Sequence, residues 1–313
     1  RSTGKSSMPS SISRVLPGLH KGRTAVITGG SLGIGLQLGR FLAIAGARVL
    51  LSARSEGKLA EARDEIVDEL RNIGYPRPES RVTILGGIDV GDPDALDRLH
   101  DHAVAELGHV DFLINNAGIS GAEEMVVDMT RADWDRTMEA NLISNYSLIR
   151  KFSPAMKAGG RGSILNVSSY FGGEKYVAVA YPNRADYAVS KAGQRVLAEI
   201  LSRHLGPEIQ INALAPGPVD GARLRGSAEA PGLFDRRGLL VLENKRLNEV
   251  HKAILAGMSS GFSADDVMTL ASNAVDGIDI DALPKPIARL VLKIRDSGGL
   301  GNSSNYLMHT GIA

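Results

Sequence analysis

From Arg23 onward, short apolar runs alternate with helix-length amphipathic segments. The first run, Thr24-Ala25-Val26-Ile27-Thr28, reads as a strand and leads into glycines. A helix is predicted from about Ile34 to Ala45, with Gly46 as its stop. Arg48 to Ser52 is a second strand, and Glu56 to Ile73 a charged helix. Arg81 to Leu85 is a third strand, and Asp92-Pro93 then opens a helix with Pro in a permitted first-turn position. Val110 to Ile114 and Ser163 to Val167 are predicted as the fourth and fifth strands, separated by a long helix from about Arg131 to Lys157. A helix from roughly Asp186 to Leu205 precedes a sixth strand, Ile209 to Leu214, and Asn305 to Met308 is expected to form a seventh.

Short, nearly continuous apolar runs separated by helices imply a parallel sheet buried on both faces. The expected fold is therefore α/β, a doubly wound parallel sheet of Rossmann type with one core and no internal repeat. Gly217 to Ala282 breaks the alternation, with two glycine-containing loops and a predicted helix from about Leu242 to Ala256. An excursion of that length is usually functional or disordered, and it reads as a substrate-covering insertion after the sixth strand. Residues 1–20 read as a linker, rich in Ser and Gly at the start and opening without Met, as if cut from a longer polypeptide. They lack the apolar centre of a signal peptide. The domain is then expected over 21–313, with its insertion at about 217–282.

Composition narrows the function classes. The 313 residues suffice for one large core, and the hydrophobic and charged fractions are those of a soluble globular protein. A net charge of +1 gives no case for nucleic acid or a membrane surface as partner. No apolar run approaches the ~20 residues of a membrane span. The chain has no cysteine, which removes disulfides, thiolate metal sites and a thiol nucleophile, and fits a cytoplasmic location.

Candidate chemistry gathers at the predicted strand ends. Gly29, Gly30, Ser31, Leu32, Gly33, Ile34 and Gly35 lie between the first strand and first helix. Glycines there allow a sharp turn and close approach to a pyrophosphate, which the helix N-terminus would attract. The second strand ends in Ser52-Ala53-Arg54-Ser55, with no carboxylate to accept from a ribose 2′-hydroxyl and one cation suited to a 2′-phosphate. This favours NADP(H). Asp89-Val90 could meet the adenine, and Pro216-Gly217-Pro218-Val219 the nicotinamide carboxamide. In Asn115-Asn116-Ala117-Gly118, Asn116 suits either cofactor contact or a tie between strand ends. No metal site is predicted.

Tyr187 and Lys191 stand four apart, on one helix face. A phenol has a reference pKa of ~10; a nearby ammonium and a ribose hydroxyl favour its phenolate and bring it towards use as an acid–base group. Ser169 could bond the substrate oxygen, and Asn141 could hold a water that reaches Lys191.

With Gly29, Gly33 and Gly35, Asn115 to Gly118, and Asn141, Ser169, Tyr187 and Lys191 in this order, the chain resembles the short-chain dehydrogenase/reductase family from about residue 21. The resemblance implies catalytic Asn141, Ser169, Tyr187 and Lys191. Ser169 is preferred to Ser168 because the family pattern has a glycine three residues later, here Gly172. Narrower segments, among them Asn141 to Tyr146, Ser168 to Tyr176, Ala180 to Tyr187, Ala215 to Gly221 and Glu243 to Asn248, resemble the C-terminal half of the bifunctional malonyl-CoA reductases. That resemblance implies NADPH-dependent reduction of malonyl-CoA to malonate semialdehyde, on the way to 3-hydroxypropanoate, by a module covalently linked to further reductase modules. A 3-ketoacyl or other carbonyl reductase, or a silent scaffold module, are the competing readings. The stretches between Ser169 and Tyr187 and after Gly217 are longer than in typical family members, which puts ordinary alcohol and steroid substrates in doubt. Arg184 and Arg223 are candidates for the malonyl carboxylate, since burying that charge unpaired is very costly. A homo-oligomer is expected, as is common in the family.

Overall fold

The computed structural model describes residues 18–173, 182–217 and 219, together with the short strands 226–227 and 230–231. Six strands, β1 (Thr24–Thr28), β2 (Arg48–Ser52), β3 (Val82–Leu85), β4 (Phe112–Asn115), β5 (Gly162–Val167) and β6 (Ile209–Leu214), form one sheet in the order β3-β2-β1-β4-β5-β6. Every pairing in it is parallel. The helices are α1 (Gly33–Ile44), α2 (Glu56–Asn72), α3 (Pro93–Leu107), α4 (Arg131–Met138), α5 (Ser144–Ala158) and α6 (Ala185–Leu205).

The two-residue period of the strands divides the core. Ala25, Ile27, Val49 and Leu51 pack with Ala43, Ile66 and Leu70 of α1 and α2. Val26, Leu50 and Leu113 point the other way, against Leu99, Phe152, Met156 and Ala198 of α3, α5 and α6. Both faces are covered, as the unbroken hydrophobicity of the strands requires. Helix starts follow local chemistry: Ser55 accepts from Lys58 N–H before α2, Asp92 from Asp94 N–H before α3, and Thr130 from Asp133 N–H before α4.

The long helix predicted over Arg131 to Lys157 is interrupted. Residues Glu139–Ile143 form a π-helical turn between α4 and α5, with Asn141 fully buried inside it. Short 3-10 turns at Tyr170–Gly172 and Pro182–Arg184 also lie outside the predicted elements, and one at Pro78–Arg81 takes the first residue of the predicted third strand.

The chain divides into two compact units, Arg1–Gly217 and Pro218–Ala313. In the second, Gly226–Ser227 (β7) pairs antiparallel with Ala230–Pro231 (β8). The expected helix at Leu242 to Ala256, the seventh strand at Asn305 to Met308, and Arg223 lie outside the described residues. Among the described residues no helix is long and apolar enough to cross a membrane, and no cluster of His, Cys, Asp and Glu could hold a metal.

Candidate active site

The strand order reverses between β1 and β4, so the loops leaving these two strands flank a crevice. Gly29 and Gly33 have φ of +66° and +60°, which L side chains rarely adopt. A Cβ on Gly35 would stand 2.4 Å from the Gly29 carbonyl oxygen and from Asn116 Nδ2. Helix α1 then begins at Gly33 without a side-chain cap and with no acid in its first turn. Its N–H groups and positive dipole end suit an anion. The cradle thus fits a dinucleotide pyrophosphate.

Asn116 ties the two loops together. Its Nδ2 donates to the carbonyls of Thr28 and Gly29 at 2.9 and 3.0 Å, while Thr28 Oγ1 accepts from the N–H groups of Asn116 and Ala117 at 3.1 and 3.0 Å. Of the two roles open to Asn116, the strand tie is the one its geometry displays. At the end of β2, Arg54 is exposed, with no acidic side chain among Ser52 to Ser55. Asp89 accepts from the Gly91 N–H at 3.0 Å and shapes the turn before α3.

The catalytic candidates converge on α6. Lys191 is buried, and its Nζ lies 5.8 Å from the centroid of the Tyr187 ring and donates to the Val167 carbonyl at 2.8 Å. Asn141 Oδ1 accepts from Ile119 N–H at 2.8 Å, while Nδ2 donates to the Ile119 carbonyl and to Ser190 Oγ, both at 3.0 Å. Gly118 passes so close that a Cβ there would meet Asn141 Oδ1 at 2.7 Å. The loop after β4 is therefore clamped to the π-helical turn and to α6.

The two serines separate by partner. Ser168 donates to the Lys191 carbonyl at 2.7 Å and fastens β5 to α6. Ser169 opens the 3-10 turn, its Oγ accepting from Phe171 N–H at 3.3 Å. Gly172 closes that turn against α6: a Cβ there would lie 2.3 Å from the Lys191 carbonyl carbon. Phe171 meets the Tyr187 ring edge-on at 5.8 Å. Tyr170 N–H donates to the Pro216 carbonyl at 3.1 Å, which joins the end of β6 to the same turn.

Arg184 is buried at the start of α6, with its guanidinium 4.9 Å from the Tyr187 ring and 5.7 Å from Phe171. It pairs with Glu123, rather than with Asp186 two residues on in sequence. Asp186 is fully buried and instead accepts from Ala122 N–H at 2.9 Å, Thr137 Oγ1 at 2.7 Å and Tyr187 N–H at 2.7 Å.

Residues 23–231 match the short-chain dehydrogenase family. The chain belongs to that family. It is an α/β oxidoreductase, and its glycine loop, Asn-Asn-Ala-Gly segment and Tyr–Lys helix occupy the strand ends where this dehydrogenase fold binds its ligands. It is 52% identical to the C-domain of a bacterial malonyl-CoA reductase, crystallised with NADP, at a TM-score of 0.68. That match covers 88% of this chain and 42% of the other, so the chain spans about two fifths of that structure. A metagenomic short-chain oxidoreductase in complex with NADP is 33% identical, with a TM-score of 0.56 over 64% of this chain and 84% of the other. The 7alpha-hydroxysteroid dehydrogenase of Escherichia coli K12 is 34% identical over 63% of this chain and 71% of its own length. A 3-oxoacyl-[acyl-carrier-protein] reductase of Staphylococcus aureus is 31% identical over 62% and 74%.

Several residues that shape this candidate site escaped the sequence reading: Glu123, Asp186, Ser190 and Gln194. Each acts through a partner far along the chain, 61, 64, 49 and 53 residues away respectively. Only Asp186 carried a hint, as an acid in the first turn of a predicted helix.

Proposed function

We propose that the chain is an NADPH-dependent reductase that converts malonyl-CoA to malonate semialdehyde and CoA, as one module of a longer polypeptide whose later step gives 3-hydroxypropanoate. The observation that carries this reading is the 52% identity, over 88% of the chain, to the malonyl-CoA reductase C-domain. Binding of NADP(H) by this chain is supported by the NADP in that structure and in the metagenomic relative, and by the lack of an acid after β2. Gly29, Ser31 to Gly35 and the α1 N-terminus would hold the pyrophosphate, Arg54 the 2′-phosphate, and Asp89 and Val90 the adenine. Ala117, Gly118, Tyr187, Lys191, Pro216 and Gly217 would line the nicotinamide half.

Bound NADPH supplies a hydride to the thioester carbonyl carbon. Tyr187 gives its proton to the oxygen as negative charge develops there, and Ser169 donates a hydrogen bond to the same atom. Lys191 sets its ammonium beside the Tyr187 ring and would contact the ribose of a bound cofactor. Asn141 keeps the loop and α6 in register. The hemithioacetal so formed loses CoA thiol and leaves the aldehyde. The chain has no cysteine, so this hydride transfer proceeds on the CoA thioester itself, without a cysteinyl acyl-enzyme.

Arg184 is the described candidate for the malonyl carboxylate. Its contact with the Tyr187 ring puts a cation beside the reaction centre, and the planar fork of a guanidinium suits a carboxylate. Exposed Val189, Val196 and Ile200 on α6 support association with a second copy.

The deciding experiment is NADPH oxidation by this chain with malonyl-CoA, acetyl-CoA, acetoacetyl-CoA and malonate semialdehyde offered separately. Turnover of malonyl-CoA with stoichiometric CoA release supports the reading. Turnover of the ketoacyl thioester alone, without CoA release, makes the chain a 3-ketoacyl reductase like its Staphylococcus relative. Arg184→Gln should then cost malonyl-CoA turnover selectively; equal loss with acetyl-CoA would assign Arg184 to the fold.

A further inference from the structure

Gln194 is fully buried on α6, one turn beyond Lys191, and the chemistry above leaves it without a role. Its amide spans two groups of the site. Oε1 accepts from Lys191 Nζ at 3.2 Å, and Nε2 donates to the backbone carbonyl of Asn141 in the π-helical turn. Its own carbonyl accepts from Asn166 Nδ2 at 3.3 Å, and Asn166 in turn accepts from Asn115 at 2.9 Å. Gln194 thus connects α6 to β5, to β4 and to the turn that carries Asn141.

The neighbours allow one orientation of the amide. An ammonium offers only hydrogens and a carbonyl oxygen only lone pairs, so Oε1 must face Lys191 and Nε2 must face Asn141. The side-chain type is equally constrained. A carboxylate would oppose the Asn141 carbonyl and neutralise Lys191. A second cation would repel Lys191, and an apolar chain would strip a buried ammonium of one acceptor. A long neutral amide satisfies both ends and leaves the charge of Lys191 intact. One side chain thus joins the Asn141 backbone to the Lys191 ammonium.

We propose that Gln194 is a positioning residue for Lys191. With the Val167 carbonyl it fixes the ammonium from two directions, so that the charge keeps one place relative to Tyr187 and to the cofactor ribose. The proposal rests on the reading of Lys191 as a cofactor contact.

The test is a double-mutant cycle on the purified chain, read by NADPH fluorescence titration and by turnover of whichever thioester the wild type reduces. Melting curves of each variant establish that it is folded. Gln194→Met matches the size of glutamine but neither donates nor accepts at the amide. It should weaken NADPH binding by roughly 3- to 30-fold when Lys191 is present, and cost nothing further in a Lys191→Met background. A structural residue would give the same loss in both backgrounds, and that outcome, or no loss in either, overturns the proposal. Lys191→Met with wild-type NADPH affinity would instead remove the cofactor role of Lys191, and the proposal with it; this is read from the single variant alone. Should Gln194→Met not fold, Gln194→Asn, which keeps a neutral amide but is one methylene too short to span both partners, enters the same cycle. Its loss must likewise vanish without Lys191, and persistence of the loss counts against the proposal.

Discussion

Asn141 Nδ2 donates to Ser190 Oγ at 3.0 Å, and Ser190 Oγ donates in turn to the Tyr187 carbonyl at 2.8 Å. Through this pair the π-helical turn is bonded to the first turns of α6, where Tyr187 sits. The same Asn141 side chain holds both backbone groups of Ile119. Asn141→Ala would leave these buried partners unpaired, at about 1–3 kcal/mol for each group that water does not reach. A lowered melting temperature and a lowered turnover should therefore appear together. Loss of turnover with an unshifted melting curve would show that Asn141 acts on the chemistry and not on the frame.

Tyr187→Phe should behave in the opposite way. Phe keeps the ring against Phe171 and Arg184 and removes only the hydroxyl. Turnover should fall by about 100-fold or more, with melting temperature and NADPH affinity close to wild type. Steady-state kinetics beside a fluorescence titration check both halves, and near-normal turnover would refute the assignment of Tyr187 as proton donor.

Arg54→Asp addresses the choice of cofactor. The exposed cation at the end of β2 becomes an acid able to accept from a ribose 2′-hydroxyl and to repel a 2′-phosphate. NADPH affinity should drop by at least about tenfold while NADH is held equally or better. Titration of both cofactors decides it: an unchanged ratio of affinities would place the phosphate site elsewhere.

At the opposite end of β4, Asp111 makes a prediction about acid stability. Burial by itself pushes its carboxyl upward. The Arg23 guanidinium, the Thr24 N–H and the Arg161 guanidinium outweigh that effect and hold it below the usual carboxylate range. A carboxylate with a depressed folded-state pKa stabilises the fold above its unfolded-state value, and the contribution fades as pH falls through the folded-state value. Asp111→Asn should therefore cost about 1–3 kcal/mol near neutrality and progressively less in acid. Thermal melts across pH check it, and a deficit independent of pH would count against this account.

The sheet was legible because each strand is a short apolar run bounded by turn residues: β1, β2 and β6 fall where the pattern places them, and the other three shift by one or two residues. The glycines were legible too, since Gly29 and Gly35 have backbone or near-backbone neighbours that forbid a side chain. The π-helical turn was not. Its residues Glu139-Ala140-Asn141-Leu142-Ile143 carry an ordinary helical pattern, and the bulge goes with bonds to Ile119, Ser190 and Gln194 that local periodicity does not encode. Arg184 shows the same limit from the other side. Its nearness to Tyr187 follows from helical spacing, but its partner Glu123 comes from a loop 61 residues earlier.

Gly172 carries a consequence for how the site tolerates motion. The turn that begins at Ser169 rests on the main chain of α6 at Lys191 with no side chain between them. Ser169 and Tyr187 are thus measured off a single piece of backbone, as two marks on one ruler. Main chain packed on main chain leaves no slack on that side, so the turn cannot approach the helix any further. Any residue larger than glycine at 172 would act as a shim, offsetting one mark from the other without touching either.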